Sequence, residues 1–438
     1  PNGECNECAI RITVDWKKEY QALEGFGAFA GRALHFHNDI KREEILDALF
    51  GNDGLQLSVI RFTIFPDLSF NSNLTEEQEA EMWIMQRAKE KYGVKRFIAS
   101  AWSPPYSWKT IKGERTGKYL NSLANEHYQD FADYLANFVN FYNKEGIDIY
   151  ALSPQNEPEF PTTSWDGCFW WPSQLSKFVK YHLKQTFINR KLNVKIMVGE
   201  NANWYLASWY LSAMSSKLKD NDFDIYASHG YSLPISFQYV IYNKHVTSWP
   251  MENAGEKEKW ITEVSATDDF DASMKKGIEL AVSLSSFLSE GNVSGFVFWL
   301  AMIKGKSNEA LIGSDGIGNL TFPKVYYVYG QFTKHLKQKW IRIDASMSLL
   351  TKKEMTHAIA FKDPQSRKFA IIITNEGGED EHCVLEFENF SNLNRSITLH
   401  LTNENYNWEI FPRLLGENDS LNITIPRLSI LTVTGFAN

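Results

Sequence analysis

The sequence predicts an α/β fold: a (β/α)8 TIM barrel with a side β-sandwich domain built from the N-terminal strand and the C-terminal region. Three observations predict it. Between residues 25 and 300 short apolar runs alternate with longer amphipathic segments, the pattern of repeated βα units. Beyond about residue 321 this gives way to strand-length runs separated by polar turns. The length of 438 residues exceeds one ordinary core, whereas a barrel of about 250 residues with a smaller appendage accounts for it.

The eight strand candidates are residues 23–29, 57–62, 96–102, 147–155, 195–199, 225–229, 259–263 and 295–300. Helix-like stretches at 76–92, 125–145, 172–190 and 272–290 carry apolar residues at three- and four-residue spacing. Eight strands with intervening helices imply closure into a barrel. An open doubly wound sheet competes, but Gly25-Phe26-Gly27 lacks the third glycine of a dinucleotide fingerprint. After a helix-like stretch at 325–336, strand-length runs follow at 357–361, 369–374, 383–387, 397–401, 421–425 and 430–434, with Gly377-Gly378 marking one tight turn. Residues 9–16 alternate as well, Ile10, Ile12, Val14 and Trp16 against Arg11, Thr13 and Asp15, so this run is expected to join the second sheet. The expected division is 1–19 for the N-terminal strand of the sandwich, 20–322 for the catalytic barrel and 323–438 for the rest of the sandwich.

Lysine and arginine number 45 against 53 aspartates and glutamates, a formal net charge of −8, which argues against a nucleic-acid partner. No apolar run approaches the roughly 18 residues of a membrane-spanning helix. The chain starts Pro1-Asn2-Gly3-Glu4 without an initiator methionine, which fits a removed signal peptide or a trimmed chain alike; a secreted, periplasmic or cell-surface location is the expectation. Cys5, Cys8, Cys168 and Cys383 are too few and too scattered for a disulfide framework, and the lone pair Cys5/Cys8 reads as terminal thiols or one local disulfide. No zinc, phosphate-loop or calcium-loop motif is present, so neither a metal nor another cofactor is expected, and nothing demands more than a monomer.

Barrel enzymes place reactive groups at the carboxyl ends of the strands, where the βα loops form a bowl. The polar strand-end residues here are Arg61, Trp102 with Ser103, Asn156 with Glu157, Glu200, His229 with Tyr231, Glu263 and Trp299. Glu157 ends the run Leu152-Ser153-Pro154-Gln155-Asn156 and precedes Pro158, which biases it to an extended backbone. Glu263 ends Trp260-Ile261-Thr262. Retaining glycoside hydrolysis needs two carboxyl groups about 5 to 5.5 Å apart, one to attack the anomeric carbon, the other to protonate the departing oxygen and later activate water. Strands four and seven face each other across a barrel, so these two glutamates can meet over a bound sugar. Either glutamate alone reads as a solvated strand end; with Asn156 and the flanking prolines the two read as a catalytic pair. Arg61 is placed to keep the nucleophile ionised. Glu24, Glu159 and Glu200 are alternative carboxylates, Glu159 the nearest competitor unless Pro158 turns the chain away. His229 has no histidine or cysteine at ligand spacing and reads as a hydrogen-bonding residue.

The segments Gly25-Phe26-Gly27, Arg61, Trp102-Ser103-Pro104-Pro105, Gln155-Asn156-Glu157-Pro158, His229-Gly230-Tyr231, Ile261-Thr262-Glu263 and Phe298-Trp299 together resemble glycoside hydrolase family 30, in the clan of barrel hydrolases with glutamates after strands four and seven. The resemblance spans nearly the whole chain, the sandwich included. It implies Glu157 as acid/base, Glu263 as nucleophile, Asn156 on the sugar 2-hydroxyl, Arg61 and Tyr231 bonding the nucleophile, and Trp102 and Trp299 walling the subsite of the reacting sugar. A retaining β-glycosidase on a β-linked oligo- or polysaccharide such as xylan is the expected activity. The alternatives are a glucosylceramidase-like hydrolase and a carbohydrate-binding protein without turnover.

Two loops depart from the simplest family version. Ser164-Trp165-Asp166-Gly167-Cys168-Phe169-Trp170-Trp171 carries four aromatics; Trp165 is expected to face substrate, while residues 169–171 read equally as a core cap for the following helix. The loop at 109–118 carries Lys109, Lys112, Arg115 and Lys118; a solvated loop is the favoured reading over a uronic-acid site.

Overall fold

The computed structural model describes residues 10–70, 73–232, 241–251, 254, 256–348, 355–416 and 419–437, so Cys5 and Cys8 lie outside the described residues. β1 (Ile10–Ala22) belongs to the second sheet. The barrel is formed by β2 (Gly25–Phe29), β3 (Val59–Ile64), β4 (Arg96–Ala101), β5 (Ile149–Ser153), β6 (Lys195–Asn203), β7 (Ile225–Tyr231), β8 (Glu258–Glu263) and β9 (Gly295–Lys304). Each pairs in parallel with its neighbour, and β9 pairs with both β2 and β8, which closes the ring. All eight expected strands are present, with ends displaced by a few residues.

Helices cover the outside: α1 (Ala33–His37), α2 (Arg42–Phe50), α3 (Glu76–Tyr92), α4 (Tyr128–Lys144), α5 (Pro172–Phe178) and α6 (Lys184–Asn189) joined by a π-helical turn, α7 (Trp204–Ser215), α8 (Met274–Ser289) and α9 (Lys324–Thr333). Local chemistry sets their ends. Thr75 and Gln78 form a reciprocal capping box at the start of α3, satisfying two amides that the first helical turn leaves free. Gly93 ends that helix at φ 73°, a left-handed position that favours glycine. Along α4, Phe131, Leu135, Phe138 and Tyr142 are buried, the stripe that a period of 3.6 turns toward the sheet.

The lower half of the barrel interior is a closed apolar layer: Val59, Ile98, Ala151, Met197, Ile225, Ala227, Trp260 and Val297. Trp260 is the bulkiest member and fits because its neighbours are small. A Cβ on Gly295 would stand 2.3 Å from the Trp260 ring. Since side chains alternate along a strand, two residues beyond Val59 and Ile98 the same strands turn Arg61 and Ser100 inward, where the two side chains are bonded. The apolar layer is the floor, and the polar residues above it form the bowl.

β10 (Ala310–Ser314) lies parallel to the far half of β9, and β11 (Leu320–Thr321) folds back on it. The second sheet adds β12 (Ile341–Ser348), β13 (Thr356–Lys362), β14 (Lys368–Asn375), β15 (Glu381–Glu388), β16 (Ser396–Thr402), β17 (Glu409–Leu414), β18 (Ser420–Ile425) and β19 (Ser429–Phe436). Its order is β17-β16-β19-β14-β13-β12-β1-β15-β18, antiparallel except for β1 beside β15. It folds over on itself as a sandwich, bringing Val14, Leu385 and Ile423 into one core with Ile371, Ile397 and Val433. On β14 the alternate residues Ala370 and Ile372 join the barrel core instead. Both faces of that strand are covered, which is why its sequence is a continuous apolar run. Gln331 on α9 completes the junction, donating to Thr402 Oγ1 at 2.8 Å and accepting from Thr432 Oγ1 at 2.6 Å.

Replacing Trp260 with alanine removes the centre of the barrel floor and leaves a cavity that the surrounding strands cannot close. The expected loss is about 3–5 kcal/mol of unfolding free energy, read by denaturant titration; a loss below about 1 kcal/mol would show that the layer is not close-packed.

Candidate active site

Arg61 is fully buried at the centre of the bowl. Its Nη1 donates to Glu263 Oε2 at 2.6 Å, Nη2 to Asn156 Oδ1 at 2.6 Å, and Nε to Ser100 Oγ at 3.2 Å. Nη2 also lies 3.3 Å from Glu200 Oε1. The Trp102 ring covers one face of the guanidinium, 4.7 Å from its carbon, a cation–π contact. Burial works against the charge, but Glu200 and Glu263 outweigh it and hold Arg61 above its ordinary range.

Both oxygens of Glu263 are held, because Tyr231 donates its hydroxyl to Oε1 at 2.8 Å. Burial first, and the Glu263 charge second, push the Tyr231 hydroxyl well up, so it remains a donor. Glu157 faces this pair: one of its oxygens and one of Glu263 lie within 4.8 Å of each other and of a ring nitrogen of His229. Glu157 is pushed up to about 7, chiefly by burial, with Glu200 adding to the effect and Arg61 opposing it. Burial lowers His229, leaving a neutral imidazole at neutral pH. Its Nδ1 approaches Glu157 Oε1 at 3.3 Å, yet neither ring nitrogen makes a hydrogen bond among the described residues. Glu157, His229 and Glu263 are the group among the described residues whose atoms converge enough to share a cation. The Arg61 guanidinium on Glu263 disfavours one there.

The backbone at Glu157 corrects one expectation. Instead of an extended conformation before Pro158, it is left-handed, φ 46°. Its N–H donates to Glu200 O at 2.9 Å, and the N–H of Asn156 to Ala101 O at 2.7 Å, so neighbouring strands dictate the turn that the Pro158 rule disfavours. The competing carboxylates are accounted for. Glu159 turns away, accepting from Asn201 Nδ2 and the Ala202 N–H, each at 2.8 Å. Glu24 precedes β2 and pairs with Arg96 at the opposite end of the barrel. Glu200 stays in the site.

A cleft of about 730 Å³ opens over these residues, lined by Phe29, Trp102, Trp299, Phe160 and Trp165 among others. Trp299 stacks on Phe29 at 4.7 Å and 12°, with Trp102 beside them. On the other side Trp165 lies parallel to Phe160, at 5.6 Å and 3°, and the two are 42% and 43% exposed. The cleft thus contains Glu157, Glu263, Asn156, Tyr231, Trp102, Trp165 and Trp299, with Arg61 and His229 beneath. Residues 168–170 are buried core, while Trp171 is half-exposed at the start of α5.

The basic loop is solvated at Lys112 and Arg115 but not at Lys109. Lys109 is buried and donates to the carbonyls of Arg115, Thr116 and Gly167 at 2.6 to 3.1 Å. Arg115 pairs with Asp166 at 2.8 Å and Lys118 with Glu114 at 2.8 Å. Tyr106 also donates to Asp166, at 2.7 Å. Gln155 links Trp102 O to the indole of Trp170. Sequence reasoning missed Phe160, Gln155 and this Lys109 clamp; for Phe160 the signal was its place three residues after Glu157.

Comparison with known proteins points the same way as the site. Residues 69–231 match the model of O-glycosyl hydrolase family 30. The chain is 24% identical over 405 residues to glucuronoxylanase XynC of Bacillus subtilis, covering 90% of this chain and 85% of that one. A putative glucosylceramidase 4 of Caenorhabditis elegans is 26% identical over 228 residues, 45% of this chain and 44% of the relative. Among solved structures, the glycoside hydrolase family 30 subfamily 8 xylanase Xyn30A of Clostridium acetobutylicum superposes with a TM-score of 0.78 at 22% identity, covering 98% of this chain and 100% of that one. The catalytic domain of the family 30 xylanase C of Talaromyces cellulolyticus gives 0.80 at 17%, covering 97% and 99%. Those two likenesses establish the fold, barrel and sandwich together. The family model, the curated relatives and the solved structures together support glycoside hydrolase family 30 for this chain.

Proposed function

We propose that this glycosyl hydrolase is a retaining β-glycosidase that cuts a β-linked polysaccharide of the xylan type, with Glu263 as nucleophile and Glu157 as acid/base. The observation that carries the reading is the asymmetry of two carboxyl groups whose oxygens approach within 4.8 Å. One is gripped by Arg61 and Tyr231 at both oxygens; the other is buried and pushed up to about 7. Environments that separate two carboxyl groups in this way divide the labour between them, and their spacing suits the retaining rather than the inverting course.

In the first step a Glu263 oxygen bonds to the anomeric carbon as the glycosidic bond breaks, and the Glu157 proton passes to the departing oxygen. In the second, Glu157, now a carboxylate, takes a proton from water, whose oxygen displaces Glu263 from the sugar. Asn156, its Oδ1 held by Arg61, keeps its amide N–H free for the sugar 2-hydroxyl, a bond that strengthens as charge develops. Trp102 and Trp299 wall the reacting sugar. Because the loop carrying Glu157 flanks the leaving group, Phe160 and Trp165 form a platform for the sugar beyond the cut, which suits an internal chain position. The long match to a glucuronoxylanase supports xylan as the polymer, and a polymer too large to enter a cell places the enzyme outside the cytoplasm. The exposed apolar faces of Phe160, Trp165 and Leu206 favour one second reading, a lipid aglycone as in the glucosylceramidase relatives; cleavage of detergent-dispersed glucosylceramide with no action on xylan would select it.

Glu157→Gln and Glu263→Gln are each expected to lose about 10³-fold or more in kcat on xylan with the fold intact by circular dichroism. Wild-type activity in either removes the assignment. Azide is expected to restore Glu263→Ala with inverted product, and a retained product would contradict Glu263 as nucleophile. Glu157 works as an acid only while protonated, so kcat/KM is expected to decline as pH rises through about 7. Trp165→Ala is expected to raise KM for xylan about 3- to 10-fold with kcat little changed; an unchanged KM argues against the platform.

A further inference from the structure

Glu200 is fully buried within β6, at the register shift between Gly199 and Asn201, and takes φ 54°, a left-handed conformation that a glutamate holds only when its surroundings enforce it. Its carbonyl accepts the Glu157 N–H. Its carboxylate lies 3.3 Å from Arg61 Nη2, the nitrogen that also grips Asn156. Among the described residues, neither of its oxygens accepts a hydrogen bond. A buried carboxylate so poorly supplied with donors is costly, and an amide of the same shape would fill the space at lower cost. The charge itself therefore has a use.

That use follows from the groups around Glu157. Arg61 faces it from β3, Glu200 from β6, His229 and Tyr231 from β7, Glu263 from β8, and Glu159 from its own loop. Burial keeps His229 neutral and Tyr231 protonated. Glu159 is turned aside and capped by Asn201 and Ala202. What remains is one cation, Arg61, shared by Glu263 and Glu200. With Glu263 alone, the guanidinium would retain more free positive potential at Glu157 and draw off its proton.

We propose that Glu200 is a positioning residue that offsets the spare charge of Arg61 and anchors the Glu157 main chain, so that Glu157 keeps its proton at neutral pH. This rests on Glu157 being the acid/base. The direction of the Glu200 effect on Glu157 agrees, raising it alongside burial.

The test is the pH profile of kcat/KM on xylan for the full chain carrying Glu200→Gln or Glu200→Ala. Either folded neutral variant is expected to move the alkaline limb down by about one pH unit, while Glu200→Asp, which keeps the charge, returns it toward wild type. A limb that stays in place in a folded neutral variant, even with a lower Tm, overturns the inference and leaves Glu200 a structural residue. Failure of the underlying reading looks different: Glu157→Gln would then keep its activity on xylan.

Discussion

A guanidinium sealed inside a barrel is the constraint on which the rest of this site depends. Moving such a charge out of water costs several kcal/mol unless partners surround it, and Arg61 is fully buried. It meets the requirement with Glu263, Asn156, Ser100 and the nearby Glu200, and with the Trp102 face. Those partners come from four other strands or strand ends. One side chain on β3 thereby fixes the mutual positions of groups from β4, β5, β6 and β8, and the bowl has little freedom to rearrange without stranding a charge.

A second buried cation does comparable work farther out, with a different class of partner. Lys109 uses backbone carbonyls rather than carboxylates, tying the loop after β4 to the loop after β5. With Gln155 bridging Trp102 and Trp170 and Asp166 taking Arg115 and Tyr106, the segment bearing Trp165 is fastened by the protein alone. Such fixing lowers the ordering cost of binding. The cleft is thus held by polar bonds inside the loops, while stacking rings supply its walls.

The barrel was legible because its strands are short apolar runs whose spacing reports βα repeats, and because Glu157 and Glu263 stand where those runs stop. β17 was not: its side chains are almost all exposed, it carries Pro412, and it lies at the sheet edge, so no alternation marks it. β12 escaped for a related reason, its apolar residues other than Ile343 being only partly covered. The Glu157 conformation could not be read from Pro158, since hydrogen bonds to other strands decide it. Lys109 illustrates the same limit. A lysine in a polar loop looks solvated until the three carbonyls that converge on it are known, and they belong to residues 6 to 58 positions away.

β14 sends Ile371 and Ile373 into the sandwich and Ala370 and Ile372 into the barrel core. A strand wetted on neither side makes the two units a single thermodynamic body: melting the sandwich would uncover the flank of α8 and α9, and melting the barrel would bare one face of the sandwich. The appended sheet is then less an accessory than the outer wall of the catalytic unit. A barrel cut free of it would present a broad greasy flank to water, with self-association as the natural outcome.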